Sequence, residues 1–210
     1  MIKKTDIEKE VLKISKSKSL DYPFPEGEWD THEYYDSAIS LIKNEGLWLE
    51  FGVWSGRTIN YFSTKTENKI YGFDSFTGLP EGDNHWQKGA FNVNGNTPNV
   101  SENVELVVGL FQDTLDEFLQ NHKETVSFLH VDCDIYSSSK FVLNKLKDRI
   151  VSGTVISFDE IYNYPGFENH EILSWLEFVK ETNLKYKWIY NSTKNDDKFV
   201  TGLQATCVII

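Results

Sequence analysis

Two apolar patterns alternate along the chain. Short continuous runs, LWLEFGV (47–53), KIYGFD (69–74), VELVV (104–108), TVSFLHV (125–131) and GTVISF (153–158), predict strands. Between and after them apolar residues return every three or four positions: Tyr35, Ile39 and Ile42; Leu115, Phe118 and Leu119; Val142, Leu146 and Ile150; Ile172, Leu176 and Val179. That spacing gathers a stripe on one helical face, and 56–65 predicts a further helix. Runs that lack polar alternation belong to strands covered on both faces, as in a parallel sheet. The C-terminal LKYKWIY and FVTGLQATCVII predict two more strands, a terminal antiparallel pair. Repeated strand-helix units of this kind imply an α/β fold with helices on both faces of the sheet.

Two stretches interrupt the rhythm. Residues 77–99, rich in Gly, Pro and Asn, are too long for a tight connection, and loops of this length in a compact domain are usually lids or disordered. Residues 1–20 carry six lysines against Asp6, Glu8 and Glu10, a local +3 that leaves −14 for the rest of a chain whose net charge is −11. Ile7, Val11 and Ile14 would line one side of a short helix there. This arm is expected to be solvated, or else to pack on a partner subunit, which makes a homodimer one expectation. Residues 1–30 thus read as arm and linker, with DYPFPEGEW breaking any helix through Pro23 and Pro25, and 31–210 as a single domain.

The acidic balance argues against nucleic acid as partner, since a phosphate backbone is held by Lys and Arg. Cys133 and Cys207 form no CxxC pair, so no zinc site or disulfide framework is signalled. No 18-residue apolar run exists, so a soluble, cytoplasmic protein without membrane partners is expected.

Candidate chemistry follows the strands. Ligands of open α/β sheets bind beyond the strands' carboxyl ends, where LEFGVWSGRT places Glu50, Gly52 and Gly56. Glycines at a strand-to-helix turn permit close approach of a ligand, although such turns are as often only structural. Asp74 ends the next strand, where cofactor-binding α/β proteins set a carboxylate against ribose hydroxyls. Asp132 and Asp134 follow a third strand, and Asp159 with Glu160 a fourth. Crowded carboxylates raise one another's pKa unless a cation intervenes, and a set rich in oxygen but poor in His and Cys favours Mg²⁺, Mn²⁺ or Ca²⁺. His85 and Trp86 in the 77–99 loop could meet a substrate or merely sit exposed; His130 reads as a strand residue and Cys133 as a small buried filler.

The segments LEFGVWSGRTINYFS, IYGFDSFTGLPE, NVELVVGLFQDTL, FLHVDCDIYSSS and GTVISFDEIYNYPGFENHE, in that order, resemble class I S-adenosylmethionine (SAM) methyltransferases, and among them the macrocin O-methyltransferase (TylF-like) family. The resemblance implies a Rossmann-like, mostly parallel seven-stranded sheet with an antiparallel C-terminal strand. It implies SAM binding by Glu50, Phe51, Gly52, Ser55, Gly56, Arg57 and Thr58, with Asp74 and Ser75 at the ribose, Phe111 and Gln112 at the adenine, and Asp132 nearby. It further implies a divalent metal, typically Mg²⁺, on Asp132, Asp159 and Glu160, with Asp134 as general base. Glu160 departs from the family's second aspartate. The implied reaction is methylation of a hydroxyl on a sugar or glycosylated small molecule under a closing 77–99 lid. A phenol or catechol acceptor, a non-catalytic SAM-binding module and a metal hydrolase are the alternatives.

Overall fold

The computed structural model describes residues 1–21, 32–193 and 203–210. The elements in chain order are α1 (Lys4–Ser15), β1 (Lys18–Asp21), α2 (Glu33–Ser40), β2 (Leu47–Phe51), α3 (Arg57–Ser63), β3 (Ile70–Asp74) and β4 (Val104–Val108). Then come α4 (Phe111–Asn121), β5 (Val126–Val131), α5 (Tyr136–Leu146), β6 (Ile150–Phe158), a 3₁₀ turn at Phe167–Asn169, α6 (Glu171–Thr182), β7 (Tyr186–Thr193) and β8 (Ala205–Ile209). The stretch DYPFPEGEW lies, apart from Asp21, outside the described residues.

One sheet runs through the molecule in the order β1-β7-β8-β6-β5-β2-β3-β4, and only β8 opposes the other strands. Alternate strand residues feed two cores. Leu49, Phe51, Leu129 and Val131 pack under α1, α4, α5 and α6, while Trp48, Phe128 and Val155 pack under α2 and α3. This coverage of both faces explains why the central strands read as unbroken apolar runs.

The sheet has eight strands rather than seven because the N-terminal arm is part of the fold. β1 pairs in parallel with β7, Lys18 opposite Tyr190, and α1 lies against β7 and α6. The arm is not solvated: Ile14 is fully buried and Ile7 nearly so. The buried Glu10 carboxylate accepts hydrogen bonds from Trp188 Nε1 at 2.6 Å and from the Tyr186 hydroxyl, which anchors the helix to the sheet. A second correction concerns Ile150, expected on a helical stripe with Val142 and Leu146. It opens β6 instead, since α5 stops at Leu146 and Arg149 turns back onto Leu146 C=O. Among the described residues no helix is long and apolar enough to cross a membrane.

Candidate active site

Parallel register brings the ends of four strands to one level. Phe51 stands opposite Phe73 on one side and Val131 on the other, and Val131 stands opposite Phe158. The next residues, Gly52, Asp74, Asp132 and Asp159, therefore form a row. Its spacing is fixed by hydrogen bonds from the N–H of Gly52 to Phe73 C=O, of Asp132 to Phe51 C=O, and of Asp159 to Val131 C=O, each 2.9 Å. Strand order reverses here, with β3 and β4 to one side of β2 and β5 to the other, which is where such sheets open a crevice. A cavity of about 270 Å³ occupies it.

Along the cavity the β2–α3 turn passes very close to the residue after β5. Gly52 has φ 94°, and a Cβ there would sit 1.9 Å from the Asp132 carbonyl oxygen, so no other residue fits. Asp74 braces this turn: its Oδ2 accepts the N–H groups of Val53 and Trp54, and its Oδ1 that of Phe76, all at 2.8 Å. A carboxylate offers about four acceptor directions, so Asp74 keeps capacity toward the cavity.

The cavity is also crowded with acids. Burial, reinforced by the charges of Asp159 and Asp74, pushes the Asp134 carboxyl up to about 8. Burial likewise raises Asp132 and Glu160 well above the ordinary carboxylate range, with their acidic neighbours adding to it. Asp159 goes the other way. Burial would raise it, but His130, Tyr35 and Gln204 outweigh that and hold it below its usual value. The Tyr35 hydroxyl donates to Asp159 Oδ1 at 2.9 Å, and His130 Nε2 lies 3.8 Å from the same oxygen.

The cavity is lined by Gly52, Ser55, Arg57, Thr58, Asp74, Ser75, Phe111, Gln112, Asp132, Asp134, Asp159 and Glu160, the greater part of the residues singled out from the sequence. Glu50, Phe51 and Gly56 are not among its lining. Glu50 alternates with Trp48 toward the α2 side, where it is buried 3.9 Å from His130 Nδ1 and driven well up by burial. Phe51 stacks on Phe73 within the core. Gly56 caps α3 at φ 76°, where a Cβ would strike Pro98. His130 is fully buried in β5 and Cys133 is buried beneath the cavity.

Sequence reasoning did not reach several residues here. Trp54 and Phe91, half-exposed with ring centroids 5.6 Å apart, line the cavity together with Leu79 and Pro80. The 77–99 loop is tied down beyond them: Ser137 donates to Glu81, His170 Nε2 lies 3.3 Å from Asp83, and the His85 ring packs on Tyr164 at 4.9 Å. His85 and Trp86 do not line the cavity. Glu171 was also missed, although its place one turn before the buried Trp175, on the apolar stripe of α6, marks it as a carboxylate facing inward.

The three expected metal ligands share one cavity. Asp132, Asp159 and Glu160 all reach the cavity, and Glu160 Oε2 is buried without a hydrogen-bond partner. Yet no three His, Cys, Asp or Glu side chains among the described residues are grouped to hold a metal ion. Asp159 Oδ1 accepts the Tyr35 hydroxyl and lies 3.8 Å from His130 Nε2.

Comparison with known proteins agrees with this architecture. A search of curated proteins finds no match. Among solved structures, that of CalS11, described as calicheamicin methyltransferase, superposes with a TM-score of 0.64 at 19% identity, covering 99% of this chain and 94% of the other. An apo structure of CalS11, described as a TDP-rhamnose 3'-O-methyltransferase, gives 0.58 at 19% identity over 84% and 77%. MycE methyltransferase from the mycinamycin biosynthetic pathway, solved with Mg and SAH, gives 0.53 at 14% identity over 85% of this chain and 49% of that one. At such identities the likeness establishes the fold. Residues 49–161, over half of the 210-residue chain, match the sequence profile described as a methyltransferase domain, and the chain belongs to that family.

Proposed function

We propose that the protein is an O-methyltransferase that moves the methyl group of SAM to a hydroxyl of a sugar or glycosylated small molecule, on the pattern of the macrocin O-methyltransferase family. The observation that carries this reading is that one cavity is lined both by the Gly52–Thr58 turn and by Asp134 with its raised carboxyl. SAM supplies an electrophilic methyl on a sulfonium cation. In this reading Ser55, Arg57 and Thr58 meet its carboxylate, Asp74 and Ser75 the ribose, and Phe111 and Gln112 the adenine. Asp159, held in its charged form, favours a cation among the neighbouring acids Asp132, Asp134 and Glu160.

A sugar hydroxyl is a poor nucleophile at neutral pH. Asp134, with a carboxyl poised near 8, is suited to accept its proton as the new C–O bond forms, because a base works best when its pKa lies near the working pH. Alignment of hydroxyl and methyl in a fixed pocket supplies the larger share, roughly 7–11 kcal/mol in favourable intramolecular cases. The 77–99 loop contributes Leu79, Pro80 and Phe91 to the lining and, as a lid, excludes water from the cavity. Sugar acceptors are favoured by the structural neighbour CalS11, described as a TDP-rhamnose 3'-O-methyltransferase.

A divalent cation belongs to the proposal only at the level of donor chemistry: Asp132, Asp159 and Glu160 offer the oxygen ligands that Mg²⁺ takes. Since the side chains do not converge on a metal, no step is assigned to one. Calorimetry with SAM, with and without Mg²⁺, and transfer of labelled methyl to a panel of sugar, phenol and catechol acceptors test the whole reading. Micromolar SAM binding with label in a sugar hydroxyl supports it, label in a catechol alone reassigns the acceptor, and no SAM binding at all refutes it. Activity that survives EDTA treatment removes the cation from the proposal.

A further inference from the structure

Asp134, which the function proposed above makes the proton acceptor, sits on unusual backbone. Its φ is 60°, and the N–H of Ile135 donates to Cys133 C=O at 2.6 Å, so Asp134 is the middle residue of a three-residue turn with positive φ. Turns of that hand are uncommon and strained, and they persist only where neighbouring groups hold them. One neighbour does so directly. Glu171 Oε1 accepts a hydrogen bond from the Cys133 N–H at 3.1 Å, across 38 residues of chain.

Glu171 is an unexpected choice for that task. It is fully buried, its Oε2 has no hydrogen-bond partner, and Asp134, Glu160 and Asp159 are close enough to act on it with like charge. Its own helix turn is fixed from behind. Ser174 Oγ donates to Glu171 C=O at 2.8 Å and meets Ser139 Oγ, on the first turn of α5, also at 2.8 Å. The start of α6 is thereby bolted to the start of α5, and the Glu171 carboxyl is held against the Cys133 amide at the rear of the Asp134 turn. We propose that Glu171 is a positioning residue: through the Cys133 amide it keeps the strained turn closed and the Asp134 carboxylate pointed into the cavity.

Three variants test this. Glu171→Met removes the acceptor at similar volume, Glu171→Gln keeps an oxygen for the Cys133 amide, and Glu171→Asp keeps the charge but withdraws it by one methylene. The proposal expects E171M to lower kcat by about 10- to 100-fold, the scale of a misplaced catalytic group, with SAM affinity and acceptor KM within about twofold. E171Q should stay near wild type, and E171D should fall between. Introduced into Asp134→Asn, E171M should have no further effect on the residual rate, because it acts through Asp134. Wild-type kcat in folded E171M, or full additivity with D134N, overturns the proposal. Should E171M not fold, E171D decides by the same comparison. A crystal structure of E171M or E171D separates this inference from the function it rests on: Asp134 leaving φ 60° supports it, and an unchanged turn refutes it, whether or not the protein methylates any acceptor tried.

Discussion

The Asp74 carboxylate holds the backbone N–H of Trp54 at 2.8 Å from across the sheet, and with the same oxygen that of Val53. An acid at the end of β3 therefore shapes the turn after β2 before any ligand arrives. Its second oxygen is equally engaged, by Phe76. Asn cannot replace it, because one side of an amide is a donor and would face an N–H. Asp74→Asn is therefore expected to cost nearly as much as Asp74→Ala. Both should weaken SAM binding at least about tenfold, given that hydrogen bonds to charged groups contribute about 1.5–3 kcal/mol each. Calorimetric titration of the two variants checks this, and D74N with wild-type affinity contradicts it.

Gly52 yields a sharper test because its neighbour is backbone. A methyl group there would lie 1.9 Å from Asp132 C=O, and relief would require the ends of β2 and β5 to part. Gly52→Ala combines that overpacking with a positive φ, for an expected loss of about 2–4 kcal/mol and of measurable SAM binding. Gly89→Ala is the control: φ is 80°, but nothing lies within 4 Å of the added carbon. It should cost about 1 kcal/mol and leave SAM affinity unchanged. Equal losses in both variants, read by chemical denaturation, would mean that backbone conformation rather than the close approach governs Gly52.

The row of strand-end residues was legible in the sequence because parallel strands covered on both faces show as unbroken apolar runs, and a polar residue directly after such a run has to emerge at the sheet's edge. Asp74, Asp132, Asp134, Asp159 and Glu160 all follow that logic into the cavity. Glu50 did not, because it still lies within β2, and residue alternation turns its side chain under α2 toward His130. The arm was misjudged for a different reason. The stripe Ile7, Val11 and Ile14 shows that α1 has an apolar side, but the surface that receives it is built from Tyr186 and Trp188, about 170 residues away in sequence. The hydrogen bond from Tyr35 to Asp159 was not legible, because it joins residues 124 apart in sequence.

The integration of the arm carries its own expectation. Ile14 is completely buried between α1 and the sheet, so Ile14→Ala should remove about 2–5 kcal/mol of stability, as large-to-small changes in packed cores do. In a domain of this size that is a fall in Tm of about 5–15 °C. SAM affinity should stay the same, since α1 contributes nothing to the cavity lining. Thermal unfolding alongside SAM titration checks both halves. A Tm within about a degree of wild type would return the arm to a solvated appendage.

The raised carboxyl of Asp134 makes stability and activity respond to pH in opposite directions. Folded, it titrates at about 8; unfolded, an aspartate titrates near 4. Between those values the folded state holds a proton that the unfolded state has released. The stabilisation is therefore complete below about pH 4 and is lost as pH rises toward 8. Asp134→Asn, which tolerates a positive φ and carries no charge, should remove one step of that decline and raise the stability of the ligand-free protein at pH 8 by on the order of 1–3 kcal/mol. Activity needs the opposite form, the carboxylate that accepts the hydroxyl proton. In wild type kcat/KM should climb with pH and level off above about 8, and the limb in kcat should lie lower, because the bound sulfonium favours the charged base. A pH-rate profile and denaturation curves at pH 5 and 8 read both effects. A D134N enzyme that keeps the wild-type limb would transfer the role of base to another group, whatever the stability curves show.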